Sequence, residues 1–135
     1  MKFLMVVDEA ESLALLNGSK SVALRRRRAS MLSEGDVIYL VVLGTVVGSF
    51  MAEKVEIGSA AQMSKRYADE VGLPVRETFE LLNGDTPCAI HVGADRRPLE
   101  PITLPADQQH VNGIVPVTDA AVELVIEQAE KVRAI

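Results

Sequence analysis

The spacing of apolar and polar residues changes several times along the chain, and each change predicts an element. Residues 2–7 carry a short apolar run that reads as a strand. Asp8 with Glu11 three residues on has the spacing of a capping box and opens a helix. Ala10, Leu13, Ala14 and Leu16 or Asn17 give that helix an apolar face, and Asn17-Gly18 closes it with a residue that tolerates positive φ. The stretch 18–28 follows as a second strand. Alternation sets Lys20, Val22 and Leu24 on one face and Ser21, Ala23 and Arg25 on the other. A polar connection, 31–36, ends in the turn Glu34-Gly35-Asp36.

Residues 37–43 and 45–57 form a hairpin about Gly44, and both arms are apolar enough to be central strands. Ser59 and Gln62 make another capping box, with Met63, Tyr67 and Val71 as the buried stripe and Gly72 as the stop. Pro74 opens the next helix at its first position, and Val75, Phe79 and Leu82 face inward as far as the stop at Asn83-Gly84. A short strand at 88–92 leads to a turn at Ala94-Asp95-Arg96-Arg97. Residues 99–104 hold Pro101 and are flanked by Pro98 and Pro105, which suits an edge strand or an extended loop. Residues 108–116 read as irregular. Thr118 caps a last helix, about 118–133, whose Ala121, Val122, Val125, Ala129 and Val132 share one side. The order β-α-β-β-β-α-α-β-β-α predicts an α+β domain with one mostly antiparallel sheet.

Length and composition narrow the class. A chain of 135 residues is one domain by size, with enough core to need no staples. The single cysteine, Cys88, excludes an internal disulfide and suits a reducing compartment, hence a cytoplasmic protein. The apolar stretch 37–52 is shorter than the about 20 residues that cross a bilayer and is broken by Gly44 and Gly48, so no membrane partner is expected. With Trp absent and aromatics at 4%, the core is aliphatic and a stacking platform is not expected. The formal net charge of −5 argues against a general polyanion binder. Charge is nevertheless segregated: Lys20 and Arg25 to Arg28 place five cations in nine residues, and no carboxylate lies between Glu11 and Glu34.

Gly18-x-Lys20-x-x-x-Leu24-Arg25, followed by Gly35-Asp36 and a strand containing Gly48, resembles the ASCH domain family of the PUA-like superfold. The resemblance continues through Tyr67-Ala68-x-x-Val71-Gly72-Leu73, Phe79-Glu80-Leu81-Leu82-Asn83-Gly84, Ala89-Ile90-His91-Val92 and Pro101-Ile102-Thr103-Leu104, covering about residues 3–117. It implies a mostly antiparallel β pseudo-barrel flanked by helices, a cleft beside the Gly-x-Lys strand, and a role linked to nucleic acids or nucleotides, commonly RNA. One branch of the family hydrolyses acetylcytidine with a lysine, a threonine and a glutamate. Here the lysine position is Lys20, the threonine position is Ala23, and the glutamate position falls at Val71, with Glu70 one residue short.

The expected function is therefore a nucleic-acid-binding module that holds RNA or a nucleotide-like ligand in a basic cleft. Lys20, Ser21 and Arg25 line it, and Arg26, Arg27 and Arg28 form its rim. Lysine supplies a mobile point charge and arginine a planar fork that matches phosphate oxygens. The bland alternative for Arg26 to Arg28 is a solvated strand end, since exposed ion pairs contribute little. An amidohydrolase acting on an acylated nucleoside and a protein–protein adaptor are the rival readings. With Ala23 at the threonine position the chain is expected to be a binder rather than an enzyme. Cys88 and His91 have a metal-like spacing but point to opposite faces of a strand, and His110 stands alone, so no metal and no cofactor are expected. A monomer is the expected state. Glu70 reads as a surface partner of Arg66 at i, i+4.

Overall fold

Alternation along the strands sets the architecture, because the sheet is covered on both faces. In the computed structural model, which describes residues 1–84, 86–109 and 113–133 with side chains as far as Lys131, six strands form one sheet. They are β1 (Lys2–Val6), β2 (Val22–Arg25), β3 (Val37–Val42), β4 (Thr45–Ile57), β5 (Cys88–Thr103) and β6 (Ile114–Pro116). Their order is β2-β5-β4-β3-β1-β6. β1 pairs parallel with β3, and the remaining strand pairings are antiparallel, so the mostly antiparallel α+β class holds. The sheet curls into a half-barrel with four helices against it: α1 (Glu9–Asn17), α2 (Ala60–Val71), α3 (Val75–Leu82) and α4 (Ala120–Arg133).

Three clusters of buried side chains follow from that alternation. Phe3, Met5, Ile38, Leu40, Phe50 and Ile90 pack on one face with Leu15 of α1. Leu4, Tyr39, Val41 and Val46 point the other way, onto Val122, Ile126 and Ala129 of α4. The third cluster joins Val22 of β2 and Ala89 of β5 to Met63 and Tyr67 of α2 and Leu82 of α3. Neighbours in sequence thus serve different cores: Ala23 belongs to the first and Val22 to the third. Among the described residues no helix is long and apolar enough to cross a membrane.

Local chemistry fixes the element ends. The Asp8 carboxylate accepts from Glu11 N at 2.7 Å, and Gly18 closes α1 with φ 89°. Ser59 and Gln62 make both halves of their capping box on α2. The β3–β4 hairpin turns at Leu43 and Gly44, both with positive φ, as a two-residue turn of the right hand for twisted strands demands.

Several expectations need correction. β5 runs unbroken through 94–97, Pro98 and Pro101, because β2 pairs only with its first four residues. Beyond His91 the side of β5 away from β4 has no strand neighbour among the described residues, and proline is tolerated on such an edge. Bulges between Val46 and Gly48, and across 50–54, absorb the irregularity. Residues 114–116 are a strand and not irregular, since they pair with Phe3, Leu4 and Met5 of β1. Strand β2 is only four residues long and ends at Arg25. On α1 the buried residues are Ser12 and Leu15, while Leu13 is 58% exposed. On α3 they are Thr78 and Leu82, and Val75 and Phe79 lie largely outside, because α3 packs on α2 and β2 through its other face. Pro74 precedes the first turn of α3 as its N-cap. Asp119, not Thr118, caps α4, accepting from Ala121 N at 2.8 Å and Val122 N at 3.3 Å. Ile126 joins Val122 and Ala129 on the buried side of α4, and Ala121 is exposed. The expectations for His110 and for the Val132 side chain lie outside the described residues.

Gly48 sits where α1 crosses β4. A Cβ there would lie 2.7 Å from both Leu16 methyls and 3.0 Å from the Arg97 carbonyl oxygen. The leucine can shift but the carbonyl belongs to the neighbouring strand. Gly48→Ala is expected to lower unfolding stability by about 1–3 kcal/mol through overpacking; an unchanged denaturant midpoint would show that α1 yields freely.

Candidate functional site

Lys20 is not part of strand β2. Its backbone N–H donates to Ala14 O at 3.0 Å, so it belongs to the turn that closes α1. Strand alternation therefore does not decide where it points, and it comes to the same place as Arg25. Both meet Glu11 on α1. Lys20 Nζ donates to Glu11 Oε2 at 2.9 Å, and Arg25 donates from Nη2 to Oε1 at 2.7 Å and from Nη1 to Oε2 at 3.1 Å. Arg25 Nη1 also donates to the Leu24 carbonyl at 2.7 Å. The capping box expected at Glu11 is thus half made: its N–H reaches Asp8 while its carboxylate serves the two cations.

This triad stands in a cleft of 710 Å³ between α1, β2, α2 and α3, within the range of about 300–1,000 Å³ usual for small-molecule sites. Its lining combines the cations Lys20, Arg25 and Arg26 with the apolar Leu24, Val71, Leu81 and Leu82. Ser21 stands at the margin. Its N–H and its hydroxyl both donate to Glu70 Oε1, at 2.7 Å and 2.6 Å, and Glu70 lines the cleft. The expected Glu70–Arg66 pair is replaced by this contact, and Arg66 instead meets Glu56. A second cavity, of 850 Å³, shares Asp8, Glu11 and Arg25 with the first and is walled by Val6, Val7, Val41 and Val42.

The rim arginines separate. The chain bends at Arg26, whose Nη2 donates to Asn83 O at 3.2 Å, and Arg26 and Arg27 line a smaller cavity with Asn83 and Gly84. Arg27 forms a single bridge with Thr86, and Arg28 N donates to Thr86 O at 3.0 Å. Neither Arg27 nor Arg28 is among the residues that line the cleft. Arg96 packs beneath Gly18, at the negative end of the α1 dipole, and Arg97 pairs with Asp95 at 2.8 Å; neither joins the basic group. Burial pushes the Cys88 thiol up to about 11 against the pull of Arg25 and Arg28, which leaves it a poor nucleophile. Among the described residues no group of three or more His, Cys, Asp and Glu is arranged to hold a metal ion.

A second polar group lies where α2 meets the sheet. Glu56 of β4 accepts from the Tyr67 hydroxyl and from Arg66, and His91 Nε2 of β5 lies 3.1 Å from both the carboxylate and the Tyr67 oxygen. Glu56 carries no mark in the sequence, and His91 stands out there only by its spacing from Cys88 and within Ala89-Ile90-His91-Val92, neither of which points to Glu56 or Tyr67.

Burial alone would raise the Glu11 carboxyl, but Arg25 and then Lys20 outweigh it and hold it below its usual value. The Glu56 carboxyl is lowered too, burial being overcome by Tyr67, His91 and Arg66. A carboxyl depressed in the native state binds protons less readily than in the unfolded chain. Its stabilisation is full above the unfolded value of 4.5 and is lost as pH falls through the native value. The unfolding temperature is expected to fall as pH drops from 5 to 3, with a shallower fall in Glu11→Gln. Equal slopes for the two proteins would show that Glu11 is not the group being protonated.

No protein-family model matches the chain, and no curated protein does. Solved structures do. The ASCH protein of Zymomonas mobilis matches at a TM-score of 0.75 and 18% identity, over 93% of this chain and 94% of that one. Two of its single-substitution variants match at 0.77 and 0.76, with 17% and 18% identity and similar coverage. At that identity the likeness speaks for the fold: the chain has an ASCH-type, PUA-like α+β fold.

Proposed function

We propose that the protein binds RNA or a nucleotide-like ligand in the cleft beside β2, with Lys20, Arg25 and Arg26 meeting its phosphate and the wall of Leu24, Leu81 and Leu82 covering its sugar or base. The observation that carries the reading is Glu11, which gathers Lys20 and Arg25 from two different elements into the lining of a ligand-sized cleft. A lysine and an arginine that shared no partner would repel one another. The resemblance to ASCH domains and the likeness to a solved ASCH fold support the same direction. Ser21 takes part through Glu70, at the margin. Arg27 and Arg28 extend the positive surface along the chain without entering the cleft.

The charge balance limits how the ligand is held. Three cations in the cleft lining face three carboxylates, Asp8, Glu11 and Glu70. The cleft is no funnel for a long polyanion, and affinity rests on one or two phosphates plus burial. For a single strand the logarithm of affinity should then fall with the logarithm of salt concentration at a slope of about −0.7 to −1.4. Lys20→Ala should weaken binding of short RNA oligomers by about 1–3 kcal/mol, and Arg26→Ala by less and more salt-dependently. Unchanged affinity in a folded Lys20→Ala protein would remove the cleft from consideration.

The Ser21–Glu70 contact supports a second reading, hydrolysis of an acylated nucleoside such as acetylcytidine. It puts a hydroxyl beside a carboxylate next to Lys20, an arrangement of nucleophile or water with a base. Two facts weigh against it: Ala23 at the family's threonine position is fully buried and has no hydroxyl, and the Ser21 hydroxyl is exposed at the margin. Purified protein is expected to release no acetate from acetylcytidine. Release that disappears in both Ser21→Ala and Glu70→Gln would establish the enzyme reading.

A further inference from the structure

The donors left open around Glu11 decide more than position. Arg25 Nη1 spends its two hydrogens on Glu11 and on Leu24 O, and Nη2 gives one to Glu11, so the fork cannot grip a phosphate with both of its terminal nitrogens. Lys20 gives one of three hydrogens to Glu11 and keeps two. Lys20, Arg25 and Glu11 together carry one net positive charge. Around them stand Arg26, Asp8 at the start of α1 and Glu70 on α2. Lys20 and Arg25 Nη2 keep donors for two oxygens of a phosphate. The further positive charge of Arg26 is offset by Asp8 and Glu70, so a second negative charge on the phosphate finds no net cation to meet it.

From this geometry we infer that Glu11 sets the charge specificity of the cleft: it admits the single charge of a phosphodiester and disfavours the double charge of a terminal phosphomonoester. The inference rests on the binding reading above and sharpens it, since the preferred ligand becomes an internal linkage of a strand, or another diester, rather than a free mononucleotide. Glu11 acts here as a positioning and charge-setting residue, and the ligand touches the cations it holds.

The test uses the four nucleoside 5′-monophosphates and their methyl esters, titrated into the whole protein by calorimetry at pH 8. There the monoesters are dianions and the methyl esters monoanions. The wild type should bind each methyl ester more tightly, by roughly tenfold for one extra charge near a carboxylate at the surface. Glu11→Gln should narrow or reverse that ratio. A second measurement needs no variant. On the wild type, affinity for the monophosphates should fall as pH rises from 5 to 8 through the second phosphate ionisation near about 6, while affinity for the methyl esters should not. The esters control for Asp8, Glu11, Lys20, Arg25, Arg26 and Glu70 around the cleft and for His91 on β5. Equal or tighter binding of the monophosphates at pH 8, or the same ratio in folded Glu11→Gln, would overturn the inference while leaving the binding reading in place. If neither ligand set binds, nor RNA, the binding reading falls and the inference with it.

Discussion

The Glu11 carboxylate accepts hydrogen bonds from Lys20 and from both terminal nitrogens of Arg25, and the geometry of the site depends on that group. All three side chains are more than four-fifths buried, at 17–18% exposure. Ions so placed lose much of their hydration, and the loss is offset only when each has a partner at hydrogen-bond distance. Removing one partner of a buried pair costs about 3–5 kcal/mol, somewhat less where water still reaches the rim. The pairing also fixes position. It ties α1 to β2, whose own contact with the sheet is four residues of β5. Beyond it, the end of the short strand is also held by Arg26 to Asn83, by the bonds of Arg28 N to Thr86 and by the pairing of Arg25 with Cys88.

A second constraint is the two-sided sheet. A strand that serves different cores with odd and even residues cannot slip by one position without exposing both. That requirement falls on β2, where Val22 packs against α2 while Ala23 packs toward α1. The junction of α2 with the sheet is held by polar contacts as well, through Glu56, Tyr67 and His91. α2 in turn carries Glu70 to Ser21, so the margin of the cleft is placed by a helix that is itself pinned at two points. The site is thus assembled from α1, β2, α2 and α3, elements distant in sequence and each anchored by its own core contacts.

Much of the fold could be read from the sequence because its signals are local. The hairpin at Gly44, the Ser59–Gln62 capping box and the glycine stops at 18 and 72 involve residues within four of one another, and all occur. Helix faces were harder. The period marks an apolar stripe but not which part of it meets a neighbour, so Phe79 was expected inside and Thr78 was not. The sequence divides β5 at Ala94-Asp95-Arg96-Arg97, whose polar residues read as a turn, and its prolines fit an edge that exists only because β2 reaches no further than His91. β6 was missed because three residues give no period, and its existence depends on β1.

The same distinction between local and distant accounts for the site. Along the chain Lys20 and Arg25 to Arg28 form a block without an acid, and a block of like charge reads as a polyanion surface. In space the nearest acids come from before and after the block: Glu11, nine residues ahead of Lys20, and Glu70, forty-nine beyond Ser21. Glu11 was visible only as the third residue of a capping box, a role its N–H performs while its carboxylate does something else. Segregated charge in a sequence therefore shows where cations are needed, and the fold decides how much of that charge a ligand feels. Here Lys20 and Arg25 are half neutralised before any ligand arrives, and the uncompensated charge moves outward to Arg26. An anion would then meet an ordered pair of cations at low net charge, which favours orientation of a small group over bulk attraction of a long one.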